Sequence, residues 1–527
     1  MAAGHLESAA AHLGEHPLRD VALLSVLVIL GYRVFRYLTA YLTLSRAYAL
    51  NNCERPPAYP HKDPIFGLDA LLANMAAARD SAFTSASAQR YHDLGAHTYY
   101  TWIQGRQTVH TAEPENVKAL LATRWKDYSI AARKAILGGL LGRGIFVIEG
   151  DEWTHARARL RPNFAKEQVA DLAMLERHVQ ELFKVLPRDA AAVVDLQEYF
   201  LRFTLDSASE FLFGHSTNTL VRPSARDQAF GEAFTFSLFN ITQKMRRGPL
   251  NRFYRQDPRE DESRRICRDY VGTFVDEAMA LRAKMKSGGL DDDKDQDGSS
   301  DEQPQRYYFL KEVAKTMDDR EHICDELLSM MAAGRDTTAS LFSSVFHVLS
   351  RRPDIWRKLR NEIQDLHSQP PSYEQLRNLK YAKYIINETL RLYPPVFQNG
   401  RRAVRDTILP TGGGPNGTSP IFVPAGCGVV YSAWTMHRRK DLYGADASKF
   451  RPERWATQRH GWDYVPFGGG PRICLGQQYA LTEAAYVMVR MAQEFASVVT
   501  ADNAPWTELI ALTLSIKGGV NCKLIRA

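Results

Sequence analysis

The stretch that most constrains this chain is FGGGPRICLGQ, residues 467–477, which sets one arginine and one cysteine among four glycines and a proline. Structural zinc sites use paired cysteines at short spacing, and disulfide frameworks use dense, even cysteine counts in short secreted chains. Neither pattern occurs: Cys53, Cys267, Cys324, Cys427, Cys474 and Cys522 are scattered over 527 residues with no close pair. That usage points to a reducing compartment and leaves Cys474 to act alone.

With 45% hydrophobic and 24% charged residues, the chain is globular and large enough for a substantial core. No long linker or repeat divides it, so one large catalytic body is expected over residues 61–527. A net charge of +7 is modest at this length and does not argue for nucleic acid. A negatively charged protein partner or an anionic membrane surface would suit it.

The first fifty residues stand apart. VALLSVLVILGY, residues 21–32, is a largely apolar run followed by RVFRYLTAYLTL, where Arg33 and Arg36 interrupt an aliphatic and aromatic segment. Twelve residues are too few to span a bilayer, which takes about 20, but snorkelling arginines would let residues 1–50 serve as an uncleaved N-terminal anchor helix. A signal peptide is the plainer alternative, yet Glu7, Glu15 and Asp20 precede the run and no small-residue cleavage site follows. Arg33, Arg36 and Arg46 lie after the run and place the body in the cytosol. Residues 51–60, containing ERPPAYP, read as a stiff proline hinge.

The acidic, Gly- and Ser-rich residues 287–305 read as a disordered surface loop. Beyond them, REHICDELLSMMAAGRDTTASLFSSVFHVLSRRP reads as a long buried helix ending at a proline. Within it, Ala332, Ala333 and Gly334 leave backbone bare and Asp336 and Thr337 bring polar groups beside it, an arrangement for close approach of something large and flat. A helix crossing with a solvated aspartate would use the same residues. YAKYIINETLRLYPPV carries Glu388 and Arg391 on one helical face, KFRPERW carries Arg454, and GDEWTHARARLRPNF carries Trp153 and Arg157 four apart.

In this order, AGRDTT, ETLR, FRPERW and FGGGPRICLG resemble the cytochrome P-450 family of haem-thiolate monooxygenases. Phe467, Gly470, Arg472, Cys474 and Gly476 meet all five fixed positions of its F-x-x-G-x-R-x-C-x-G signature. The resemblance runs from about Pro56 to the C-terminus. It implies a mainly α fold with a smaller β portion, placed near the N-terminal side of the body and again in residues 401–431.

The resemblance also implies haem b with Cys474 as axial thiolate, whose electron donation favours O–O cleavage. A glycine-rich loop can aim backbone N–H groups at the sulfur while the porphyrin lies close. Phe467 would pack beside the ligand loop, and Ala333, Gly334 and Gly476 would lie against the cofactor. Arg472, Trp153, Arg157 and Arg401 match propionate-binding positions. Asp336 and Thr337 match the distal acid-alcohol pair that positions water for proton delivery. Glu388, Arg391 and Arg454 match a buried structural triad.

LLGRGIFVIEGDEWTHARARLRPNF, LPTGGGPNGTSP and VVYSAWTMHRRKDLYGADASKFRPERW look most like fungal alkane and fatty-acid hydroxylases, which attack terminal or near-terminal carbons. Those enzymes sit in the endoplasmic reticulum membrane and take electrons from an NADPH-dependent flavoprotein reductase. A monooxygenase of the same fold acting on aromatic, terpenoid or polyketide compounds stays open, as does a reductase-independent isomerase or a non-catalytic haem binder, against which Asp336 and Thr337 argue. Ala333 stands where some animal fatty-acid hydroxylases carry the glutamate that ester-links haem, so no such link is expected. The sequons at Asn240, Asn387 and Asn416 would be unused in the cytosol. GGGPNG, residues 412–417, reads as a turn between strands.

Overall fold

Thirty residues, Arg320–Leu349, form one central helix around which the molecule is arranged. The computed structural model describes residues 17–63, 67–103, 106–164, 172–286 and 309–527; the acidic residues 287–305 lie outside them. Asp319 caps the helix by accepting from the His322 backbone N–H, and Pro353 opens the next helix, Pro353–Ile363. Such a cap and a proline just past the end are the sequence signals that bound a helix.

The helix threads two cores. Its first half, with Ile323, Leu327 and Met331, packs into one apolar cluster, and its second, with Phe342, Phe346 and Leu349, into another. From His322 to Leu349 the half-buried residues are Ala333, Gly334, Asp336 and Thr337, at the junction of the two. Polar and small residues thus interrupt an otherwise buried helix where neither core claims it. Phe234, from helix Ala225–Arg247, is fully buried while Phe239 on the same helix is exposed.

Strands from the two expected β regions meet in one five-stranded sheet, and a separate two-stranded hairpin lies within the second region. Strands Thr98–Ile103 and Arg106–Thr111 pair antiparallel, and the second runs parallel to Gly428–Ser432, which pairs with Gln398–Ala403 and then Tyr128–Ser129. Residues 54–60 lie along this region: Glu54 N–H donates to Pro420 O at 2.8 Å, Tyr59 N–H to Tyr100 O at 2.9 Å, and Tyr100 N–H to Pro57 O at 3.0 Å. GGGPNG is the turn of the hairpin Thr407–Gly413 and Ser419–Val423.

Within residues 1–50, where an anchor helix is expected, the described part is a single helix, Pro17–Leu50. Among the described residues no helix is long and apolar enough to cross a membrane. The uninterrupted apolar run rises only about 18 Å as a helix, against a hydrocarbon core of about 30 Å. Val21, Leu24, Leu27, Val28 and Phe35 are all more than half exposed. The far end of this helix is tied down by Tyr48, buried edge-on against Phe422 with ring centroids 5.8 Å apart.

A charged brace links the cores to the segment before the cysteine loop. Glu388, in helix Lys380–Leu392, receives Arg391 through two bonds of 2.9 and 2.8 Å and Arg454 Nε at 2.9 Å, all with no side-chain exposure. Trp455 Nε1 and the Arg451 N–H also donate to Glu388. The arginines spend their other N–H groups on the carbonyls of His437, Ala447 and Tyr443. Full satisfaction is what lets three charges stay buried.

Candidate active site

Of the six cysteines, five are buried and Cys474 alone is open. It follows a short 3-10 turn, Gly470–Arg472, and precedes helix Gln477–Glu494. Its backbone N–H donates to Phe467 O at 3.1 Å, which curls the loop back on itself. A cavity of about 710 Å³ opens at the thiol, with Arg157, Arg161, Phe164, Pro471 and Leu475 in its wall. The cysteine is therefore reachable from this cavity yet enclosed on its other sides. Enclosure raises the thiol above its ordinary range, and the Gly476 N–H and the Arg157 guanidinium oppose that shift.

Two glycines of the loop are dictated by contact. A Cβ on Gly470, whose φ is +65°, would lie 1.9 Å from Leu121 O, and one on Gly469 would lie 2.4 Å from the Trp462 ring. Phe467 packs, partly buried, against the core that holds the second half of the central helix. Gly476 meets Phe164 at ordinary distance.

Above the loop gathers an unusual concentration of positive charge. Arg472 stacks 4.2 Å over the buried Trp153, and Arg157, one turn along helix Gly150–Leu160, lies 5.7 Å from the same ring. Arg472 donates to Ile148 O and Arg157 to Ile473 O. Arg401 and Arg133 both donate to Asn399 Oδ1, at 3.1 and 2.7 Å. Burial, then mutual repulsion, pushes Arg133 and Arg472 down to about 10; burial also lowers Arg401.

Among the described residues none of these four arginines has a carboxylate within ion-pairing distance. Half-buried cations without anions favour a ligand that brings them, and a planar group with two carboxylates would supply anions that several of these guanidinium groups could share. The residues present fit haem. Arg133 was not legible in the sequence: ARK in IAARKAIL carries no signature, and only folding brings it to Asn399.

On the central helix, Thr337 Oγ donates to Ala333 O at 2.6 Å. Asp336 Oδ1 makes no hydrogen bond and faces Arg335 Nη1 at 3.4 Å. Burial raises the Asp336 carboxyl, and Arg335 partly offsets this. Arg335 points toward Phe234, 6.0 Å from its ring centroid. A Cβ on Gly334 would make only ordinary contact with Ala208. Hydroxyl and carboxyl thus belong to successive residues on the half-buried part of the helix.

A profile of the family described as Cytochrome P450 matches residues 64–521. The chain belongs to the cytochrome P450 family. It is 53% identical over 474 residues, 90% of this chain and 84% of the relative, to Cytochrome P450 monooxygenase himC of Aspergillus japonicus. It is 48% identical over 513 residues, 96% and 89% of the two chains, to Cytochrome P450 monooxygenase fsdH of Fusarium heterosporum. Cytochrome P450 52A3-B of Candida maltosa is 39% identical over 494 residues, 89% and 91%. This P450 is accordingly an oxidoreductase of the monooxygenase type that uses haem with a cysteine thiolate ligand.

Proposed function

We propose that this P450 hydroxylates long-chain alkanes or fatty acids at or near the terminal carbon, with O2 and electrons delivered from NADPH by a flavoprotein reductase. The observation that carries the lipid reading is the row of exposed apolar side chains on helix Pro17–Leu50, continuous in sequence with a body tied to it at Tyr48. An apolar substrate partitions into lipid, and an enzyme resting on that lipid meets it there. The fungal alkane and fatty-acid hydroxylases, which several stretches of this chain resemble, act on such chains. We place the enzyme at the endoplasmic reticulum membrane with the body in the cytosol.

In this reading Cys474 is the thiolate ligand, and Arg133, Arg157, Arg401 and Arg472 hold the propionates with Trp153 beneath them. Ala333, Gly334 and Gly476 leave room for the ring, and Phe467 shields the ligand loop. Haem, when bound, supplies oxygen activation. Thr337 and Asp336 hold and pass the protons this requires: the hydroxyl exchanges its bond to Ala333 O for one to water, and the carboxyl relays from behind.

The test is product analysis by mass spectrometry after reconstitution in lipid with a fungal reductase, NADPH, n-alkanes and long-chain fatty acids. Terminal or near-terminal alcohols support the proposal. No oxidised lipid, from protein whose reduced carbon monoxide complex shows intact thiolate ligation, would move the substrate to aromatic, terpenoid or polyketide compounds.

A further inference from the structure

Three of the four propionate-site arginines are placed by a single loop, residues 142–149. Ile148 O accepts from Arg472 Nη2 at 3.1 Å. Glu149 accepts from Ser129 Oγ at 2.6 Å and the Ile130 N–H at 2.5 Å, fixing the backbone just ahead of Arg133. Gly150 then begins the helix that carries Trp153 and Arg157. The orientation of this loop is therefore the orientation of the arginine set.

What fixes the loop is the central helix, some distance from the distal pair. Asp325 Oδ2 accepts the Arg143 N–H at 2.7 Å, and Glu326 Oε2 accepts the Ile145 N–H at 2.9 Å. Both carboxylates are almost wholly buried, 5% and 0% exposed. The residue between the two clamped amides is Gly144, where a Cβ would lie 1.9 Å from Ser329 Oγ and 2.7 Å from Asp325 O. Gly142, at φ +47°, sits equally hard on the Asp325 carboxyl. Asp325 is further held by Arg268 at 2.7 Å, and Glu326 by His322 Nε2 at 3.5 Å.

We propose that Glu326, with Asp325, is a positioning residue for the haem pocket: it locks loop 142–149 onto the central helix and so sets Arg133, Arg157 and Arg472 for the propionates. This rests on the arginine reading above. The apolar side chains of Ile145, Val147 and Ile148 also pack into the core, but packing is non-directional and tolerates slippage. A charge-assisted bond from one backbone N–H to a buried carboxylate fixes the register.

The measurement is the rate of haem transfer from the full-length, haem-loaded protein to excess apomyoglobin. Glu326→Ala is expected to lose haem roughly tenfold faster than the parent, the scale of one charge-assisted hydrogen bond. Glu326→Gln, which keeps an oxygen acceptor, is expected to stay within about threefold. Gly144→Ala pushes the loop off the helix without touching a charge and is expected to resemble Glu326→Ala, so the proposal stays testable where Glu326→Ala fails to fold. Phe346→Leu, in the other half of the helix, serves as a control of matched thermal stability and should retain haem.

Parental haem loss in Gly144→Ala and in whichever Glu326→Ala protein folds, or equal loss in Phe346→Leu, overturns the proposal. Arg472→Leu separates the two levels. If it releases haem quickly while the Glu326 and Gly144 variants do not, the positioning role alone fails. If Arg472→Leu keeps haem like the parent, the arginine reading fails and the positioning role with it.

Discussion

Gly470 and Leu121 approach so closely that a side-chain carbon on the glycine would stand 1.9 Å from the leucine carbonyl oxygen. The φ of +65° adds strain of about 1–2 kcal/mol for any other residue. Gly470→Ala is therefore expected to displace the cysteine loop and abolish the thiolate signature of the reduced carbon monoxide complex. Gly468→Ala meets the same sign of φ with open space around it, and should keep most of that signature.

Glu388 is the carboxylate shared by Arg391 and Arg454, the latter also meeting Asp446 at 3.4 Å. Glu388→Gln would leave two buried guanidinium groups facing a neutral amide, at a cost of about 3–5 kcal/mol. Denaturant unfolding should show the loss in the midpoint. An unchanged midpoint would mean that water reaches the triad.

Thr337→Ala removes the hydroxyl beside Asp336 without touching the arginine set. Product formed per NADPH should fall by roughly tenfold or more, with the balance appearing as hydrogen peroxide. Carbon monoxide binding should be retained. Unchanged product per NADPH would remove Thr337 from proton delivery.

Two buried groups each make stability fall as pH rises, in successive windows. Glu483, fully enclosed with Ser207 Oγ as its partner at 2.8 Å, is raised by burial to about 7. The folded state therefore binds the proton more tightly than the unfolded, and stability falls as pH rises from about 4.5 to 7. Glu483→Gln should flatten that window in thermal unfolding. His178 lies between Glu181 at 3.2 Å and Glu210 at 2.8 Å, which together overcome burial and raise it to about 9. Its contribution is present below about 6.5 and lost as pH rises through 9, and His178→Gln should erase that second decline.

The legible parts of this protein were those whose residues sit close together in sequence. The cysteine loop, the Asp336–Thr337 pair and the Glu388–Arg391 turn each announce themselves within a few residues. Arg133 did not, because its meaning comes from Asn399, Arg401 and Arg472, which only the fold brings near. Glu326 reads as one more residue of a helix until the Ile145 N–H is found against it. Hydropathy marked residues 21–32 as apolar and their number as too few to cross a bilayer, but not that Tyr48 at the far end of the helix would be buried against Phe422. The two β regions were placed, while the parallel pairing of Arg106–Thr111 with Gly428–Ser432 was not, since register between strands so far apart leaves no local pattern.

That same pairing sets a timetable for biosynthesis. Strand Arg106–Thr111 leaves the ribosome more than three hundred residues before its parallel neighbour Gly428–Ser432 exists, and until then its edge is open to aggregation. Arg401, Arg472 and Cys474 emerge long after Arg133, Trp153 and Arg157, so a nascent chain can hold those three with nothing opposite them. Capture of the cofactor is on this ordering one of the last acts of folding, and haem supply during expression should govern yield through the late, nearly complete chain.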